Sequence, residues 1–196
     1  MKTRLLIIAT IALIGLGIYI LVAAITPEKF VPKEFSEARI KGAQLAVEIV
    51  ALATQSLNSL QEIAGYDEQG NAPEALILIS REVIKNKETS QRAINLSGQL
   101  EKMARLLEEI EPARARILAT EAVSSEVALV SRLLNYNDLL RQLFETLRDK
   151  LEGKTANPDG KVRELVDRIN KEAQAINDFD RRFNQSLAEF DKIFAP

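Results

Sequence analysis

The chain has 196 residues, enough for one domain plus a short accessory segment, with 46% hydrophobic and 28% charged residues and a formal charge of −2. It contains no cysteine and no histidine, which excludes disulfides, thiolate nucleophiles, serine–histidine pairs, imidazole metal ligands and a proton shuttle near neutral pH. Beyond residue 25 there are 24 basic against 28 acidic side chains, the wrong balance for nucleic acid, where a basic patch supplies most of the affinity. No cofactor, metal or catalytic residue is expected, and the chain reads as non-enzymatic.

Residues 5–25, LLIIATIALIGLGIYILVAAI, carry no charge and include thirteen Leu, Ile or Val residues. As a helix this run would span roughly 32 Å, about the hydrocarbon thickness of a bilayer. Lys2 and Arg4 precede it, and Tyr19 lies toward its far end, where an aromatic ring meets the interface. A cleavable signal peptide is the rival reading, with Val22-Ala23-Ala24 near the cut, but the apolar run exceeds the usual h-region. Residues 1–25 therefore read as a membrane anchor (or uncleaved signal) that contacts the lipid bilayer through residues 5–25. The short basic N-terminus favours a single-pass protein of the cell membrane with its bulk domain extracytoplasmic. Lys29, Lys33, Arg39 and Lys41, just past the span, weigh the other way.

Residues 26–35 form a linker broken by Pro27 and Pro32. From there to residue 196 the pattern is helical. A first helix over about 36–64 begins at Ser36 as N-cap and carries a stripe through Ile40, Ala43, Val47, Val50, Thr54, Leu57, Leu60 and Ala64. After the turn GYDEQGNAP, a second helix over about 74–110 shows a heptad-like seam at Ala93, Leu96, Leu100, Met103, Leu107 and Ile110. Pro112 makes either a turn or a kink. A third helix over about 113–152 carries Val123, Val127, Val130, Leu134, Phe144, Leu147 and Leu151. GKTANPDG is a clear turn, and a fourth helix over about 161–194 carries Val162, Leu165, Ile169, Ala173, Ile176, Phe183, Leu187, Phe190 and Phe194. The fold class is all-α: a single N-terminal transmembrane helix followed by an elongated, antiparallel, coiled-coil-like four-helix bundle. Were Pro112 a kink, the second and third helices would merge and the domain would become a three-helix or intermolecular coiled coil.

One stretch interrupts the apolar seams. KNKETSQR, residues 85–92, has no hydrophobic residue, and the third-helix seam passes through Asn137. With antiparallel helices, Thr54, Lys87, Ser90, Asn137 and Asp180 would share one polar layer midway along the rod. Such a layer is a solvated drift of the stripe, a register-fixing element in which a buried asparagine lowers stability for specificity, or a site for a small polar ligand or a hinge. On the second of these readings, Asn137→Leu would raise the melting temperature. Phe179, Phe183, Phe190 and Phe194 cluster late in the chain. They pack in the core or, if exposed at the rod's end, form a partner surface.

In plan alone, an N-terminal span with an all-helical exported domain, the chain is similar to LemA-type proteins and to bacterial sensory bundles; no motif carries the likeness. The leading expectation is a membrane-tethered interaction or scaffold module that engages a protein partner or a second copy of itself. The alternative is a small-ligand-binding or sensory bundle built on the polar layer.

Overall fold

The computed structural model describes residues 29–155 and 158–195. They fold into a helical bundle of four helices, α1 (Lys33–Glu68), α2 (Ala72–Arg105), α3 (Ala113–Leu151) and α4 (Pro158–Phe194), with a 3₁₀ turn at Leu107–Glu109. No strand occurs among the described residues, and none of their helices is long and apolar enough to cross a membrane. The span expected over residues 5–25 lies outside the described residues.

The helix ends follow from local chemistry. α1 begins before Ser36 because Pro32, at φ −54° and ψ 136°, presents its carbonyl to the N–H groups of Phe35 and Ser36 at 3.1 and 3.3 Å. Gly70 and Gly153 both sit at φ 69°, a left-handed conformation that glycine adopts without steric cost. Each closes a Schellman motif: Gly70 N–H to the Asp67 carbonyl and Asn71 N–H to that of Tyr66, then Gly153 N–H to that of Lys150 and Lys154 N–H to that of Asp149. Pro112 caps α3 rather than kinking a longer helix, and its peptide bond to Glu111 is cis. Opposite it the linker is pinned by two backbone hydrogen bonds, from Phe30 N–H to the Glu111 carbonyl and from Glu111 N–H to the Phe30 carbonyl.

Consecutive helices pack on one another, α1 on α2, α2 on α3 and α3 on α4. They run antiparallel. Glu82 meets Ser56 and Ser59 while Arg92, further along α2, reaches back to Glu48; Arg132 meets Glu172 while Glu121 meets Ser186. At 34 to 39 residues, each helix is about 50–60 Å long.

The seams of α2 and α4 near their C-terminal halves are buried as their spacing suggests. Ala93, Leu96, Leu100 and Met103 line one, and Ile176, Leu187, Phe190 and Phe194 the other. α1 is phased differently. Its buried face runs through Phe35, Ala38, Gly42, Ile49, Ala53, Ser56, Leu60 and Ile63, whereas Ile40, Val47 and Thr54 face solvent. Close packing selects this face. A Cβ on Gly42 would lie 3.3 Å from Leu96 Cδ1, so α1 approaches α2 through its small residues. In α3, Val127 and Leu134 are likewise exposed, while Val123, Val130, Asn137 and Phe144 are buried.

Between α1 and α2 lies a fully buried carboxylate. Glu82 accepts hydrogen bonds from Ser56 Oγ at 2.7 Å, Ser59 Oγ at 2.8 Å and Lys85 Nζ at 2.5 Å. Three donors offset the desolvation that an isolated buried charge would suffer. Lys85→Met, which strands the carboxylate, is expected to cost about 3 kcal/mol by urea unfolding. A loss below about 0.5 kcal/mol would mean that the serines alone satisfy Glu82.

Candidate functional site

Besides the Glu82 cluster, one buried polar grouping, which joins α2 and α3, and one cleft remain after the core is accounted for. Asn86 Nδ2 donates to the Asn137 backbone carbonyl at 2.9 Å and to Asn137 Oδ1 at 2.6 Å; Asn137 Nδ2 donates to the Asn86 backbone carbonyl at 2.7 Å and to Ser90 Oγ at 2.6 Å. Of the residues expected in a polar layer, Ser90 and Asn137 meet here. Lys87 is exposed, and Thr54 is exposed with its hydroxyl bonded back to the Val50 carbonyl at 2.9 Å. Asp180 lies elsewhere, in the cleft described below. The partner that the spacing did not indicate is Asn86. Extending the Ala93–Leu96 seam backward by sevens reaches Asn86 and Ile79, whereas starting from half-buried Val83 leads one residue astray to Lys87.

Beside Asn137 a cavity of about 20 Å³ is bounded by Ile49, Ala53, Ser56, Tyr136, Leu140 and Ile176 among others. It has room for little more than one water. Tyr136 is buried, its hydroxyl has no hydrogen-bond partner among the described residues, and burial raises its pKa.

The cleft lies between α1 and α4. These helices are held together at one end, where Arg39 forms a bidentate pair with Asp191 at 2.7 Å for both bonds, Phe35 stacks at 6.1 Å on Phe190, and Phe190 at 4.9 Å on Phe194. Lys29 also donates to the Ile193 carbonyl. Past this clasp, Gly42, Ala43 and Ala46 are too small to fill the seam, and a cavity of about 60 Å³ opens, reaching Leu96, Leu100 and Met103 of α2 and Leu129 and Leu133 of α3. Its polar wall is Glu126 and Asp180, with Asn184 beside them and Arg39 at the clasped end. Phe183 lines the same cleft, and Phe179 lies half-buried under the Arg182 guanidinium at 5.5 Å. Phe190 and Phe194 are buried within the clasp and offer no surface in the single chain.

Glu126 is 6% exposed, and no cation or hydrogen-bond donor among the described residues pairs with it. Burial, and then the nearby Asp180 charge, push its carboxyl up to about 8. Asp180 is also raised by burial, opposed by a hydrogen bond from Asn184. At neutral pH, Glu126 is therefore mostly a neutral acid in an apolar wall. Such a group binds, or it transfers protons. Among the described residues no group of three or more acidic side chains is placed to hold a metal ion. The buried position of Glu126, three or four residues from Val123, Leu129 and Val130, reads in the sequence as an ordinary surface glutamate, and only the packing shows it facing inward.

No family model matches this chain, and neither a curated protein nor a solved structure matches it significantly.

Two outcomes follow. Asn137→Leu alone strands Ser90 and half of Asn86, so it is expected to lower stability by about 2 kcal/mol, the reverse of the expectation for a lone buried asparagine. The double variant Asn86→Leu/Asn137→Leu should recover most of that loss, a non-additivity readable in a double-mutant cycle. For Glu126, a raised pKa in the folded state means that the native protein binds more protons than the unfolded chain between about 4.5 and about 8. Its contribution to stability is thus lost as pH rises through that window. Glu126→Gln should match the wild type near pH 4.5 and exceed it by a few kcal/mol above pH 8 in chemical unfolding. Parallel pH curves for the two proteins would show that Glu126 is not desolvated.

Proposed function

We propose that this protein is a non-enzymatic helical bundle, tethered to the membrane through residues 5–25 with its bundle on the exported side, and that it acts by binding a small, largely apolar ligand in the α1–α4 cleft. The observation that carries the reading is the cleft itself. It is the seam at which consecutive packing does not fill the bundle, and it combines apolar walls with an inward-facing carboxyl that lacks a partner among the described residues. A mostly apolar cavity with a few convergent polar groups between helices is the usual form of a ligand site in a bundle. The absence of histidine and cysteine from the whole chain supports binding over catalysis.

A partner-binding scaffold is the second reading. It is favoured by Ile84, Ile94 and Ile117, which stand more than half exposed on α2 and α3, although single exposed aliphatics are common on folded proteins.

Ligand that binds only the folded state raises its melting temperature. n-Hexanol is therefore expected to raise the midpoint of the full chain by a few degrees in a saturable manner. Ala43→Leu or Ala46→Leu, which fill the cleft, should abolish the shift without loss of folding. A flat response of the wild type would remove the ligand reading. Fractionation and mass of the mature chain would test the tether, which requires an intact N-terminus in the membrane.

A further inference from the structure

We infer that the cleft selects a primary ammonium group carried on a slender alkyl tail, with the ammonium seated between Glu126 and Asp180. This rests on the cleft being a binding site, and it names the ligand's chemistry.

The polar side of the cleft has a sign. Glu126 on α3 and Asp180 on α4 are carboxyls, α2 contributes only Leu96, Leu100 and Met103, and the cation at the clasped end, Arg39 on α1, is already held by both oxygens of Asp191. With no cation of their own, the Asp180 charge disfavours ionisation of Glu126, and a ligand cation offsets that penalty while giving a buried carboxyl a partner. A ligand carboxylate would add a third negative group. A neutral acceptor, such as a ketone, would satisfy a protonated Glu126 but leave Asp180 unanswered. A divalent metal would need more ligands than the two carboxyls supply. An ammonium has three donors, enough for both carboxyls and the Asn184 side-chain oxygen.

The rest of the ligand follows from the walls. The enclosed space of about 60 Å³ is under half the ~150 Å³ of an apolar protein cavity known to hold benzene. A linear chain fits it better than a ring, lying along Gly42, Ala43 and Ala46 toward the open side. The Phe183 ring lines the same space. Glu126 carries a proton near neutral pH, so seating the ammonium ionises it and releases that proton to solvent.

The test is calorimetric titration of the full chain in a zwitterionic detergent, at pH 7, with n-hexylammonium chloride and with n-hexanol. Hexylammonium is expected to bind about tenfold or more tightly than hexanol, with an enthalpy that varies with buffer ionisation as a proton is released. Glu126→Gln should remove most of that preference and the buffer dependence. Asp180→Asn, at a half-buried position, serves as the second variant should Glu126→Gln disturb the fold. Equal binding of amine and alcohol, or an amine affinity that neither substitution changes, would overturn the ammonium assignment and leave the cleft standing as an apolar site. Binding of neither compound would overturn both.

Discussion

One bidentate ion pair, Arg39 with Asp191, closes the loop of helices. Each of the other three helix pairs is adjacent in sequence, joined by a short turn and packed through apolar residues along its length. α1 and α4 are joined by no turn, and α1 presents glycine and alanine where it passes the middle of α4. The fork geometry of a guanidinium on a carboxylate fixes both distance and angle, and the Phe35, Phe190 and Phe194 rings pack at the same joint. With that end fixed and only Gly42, Ala43 and Ala46 on the next turns of α1, the seam stays parted. The cleft is thus a consequence of where the clasp sits and of residue size, and it needs no irregular backbone.

The buried polar groups divide into two kinds. Glu82 with its serines and lysine, and Asn86 with Asn137 and Ser90, are satisfied within the protein. Each ties a neighbouring pair of helices in one register, because a slip by a turn would leave several donors and acceptors without partners in a medium of low dielectric. Glu126 and Asp180 are of the other kind. They stand on facing helices; the Asp180 charge disfavours that of Glu126, and Glu126 faces the cleft with no donor among the described residues, while Asp180 has only Asn184. Structural groups of this depth are normally paired, which separates a group that organises the bundle from one that awaits something.

Four helices, their turns and most of the α2 and α4 seams were legible in the sequence, because glycine and proline punctuate the chain and the apolar spacing there is regular. The phase of α1 was not. Ile40 and Val47 are large and suitably spaced, yet the inward face uses Ala38, Gly42, Ala53 and Ser56. Hydrophobicity ranks residues by size, while this interface is set by close approach and by hydroxyls that serve a carboxylate on another helix. The same misphasing displaced the polar layer. Lys87 and Thr54 fall one or two positions from the inward face, and Asn86, which lies on it, belongs to a seam visible only when traced back from Ala93. Ser90 and Asn137 were found because their own helices show a gap in an otherwise regular stripe. Glu126 left no such gap, since Val123, Val130 and Leu129 continue around it.

The bridge between Phe30 and Glu111, with Lys29 reaching the end of α4, gathers three things at one end of the bundle: the point where the described chain begins, the α2–α3 turn and the C-terminal end of α4. Among the described residues, the opposite end holds the two glycine-closed turns. Treated as a lever, the bundle has both ends of its described chain, at Lys29 and beyond Ile193, at the fulcrum. For a 36-residue helix rising about 1.5 Å per residue, a tilt of about ten degrees at that base would carry the far tip through roughly 9 Å. The cleft, beginning at Arg39, lies in the half nearer the fulcrum and would move much less. Held at that base, the bundle would keep the cleft at a nearly constant height while its far tip moved.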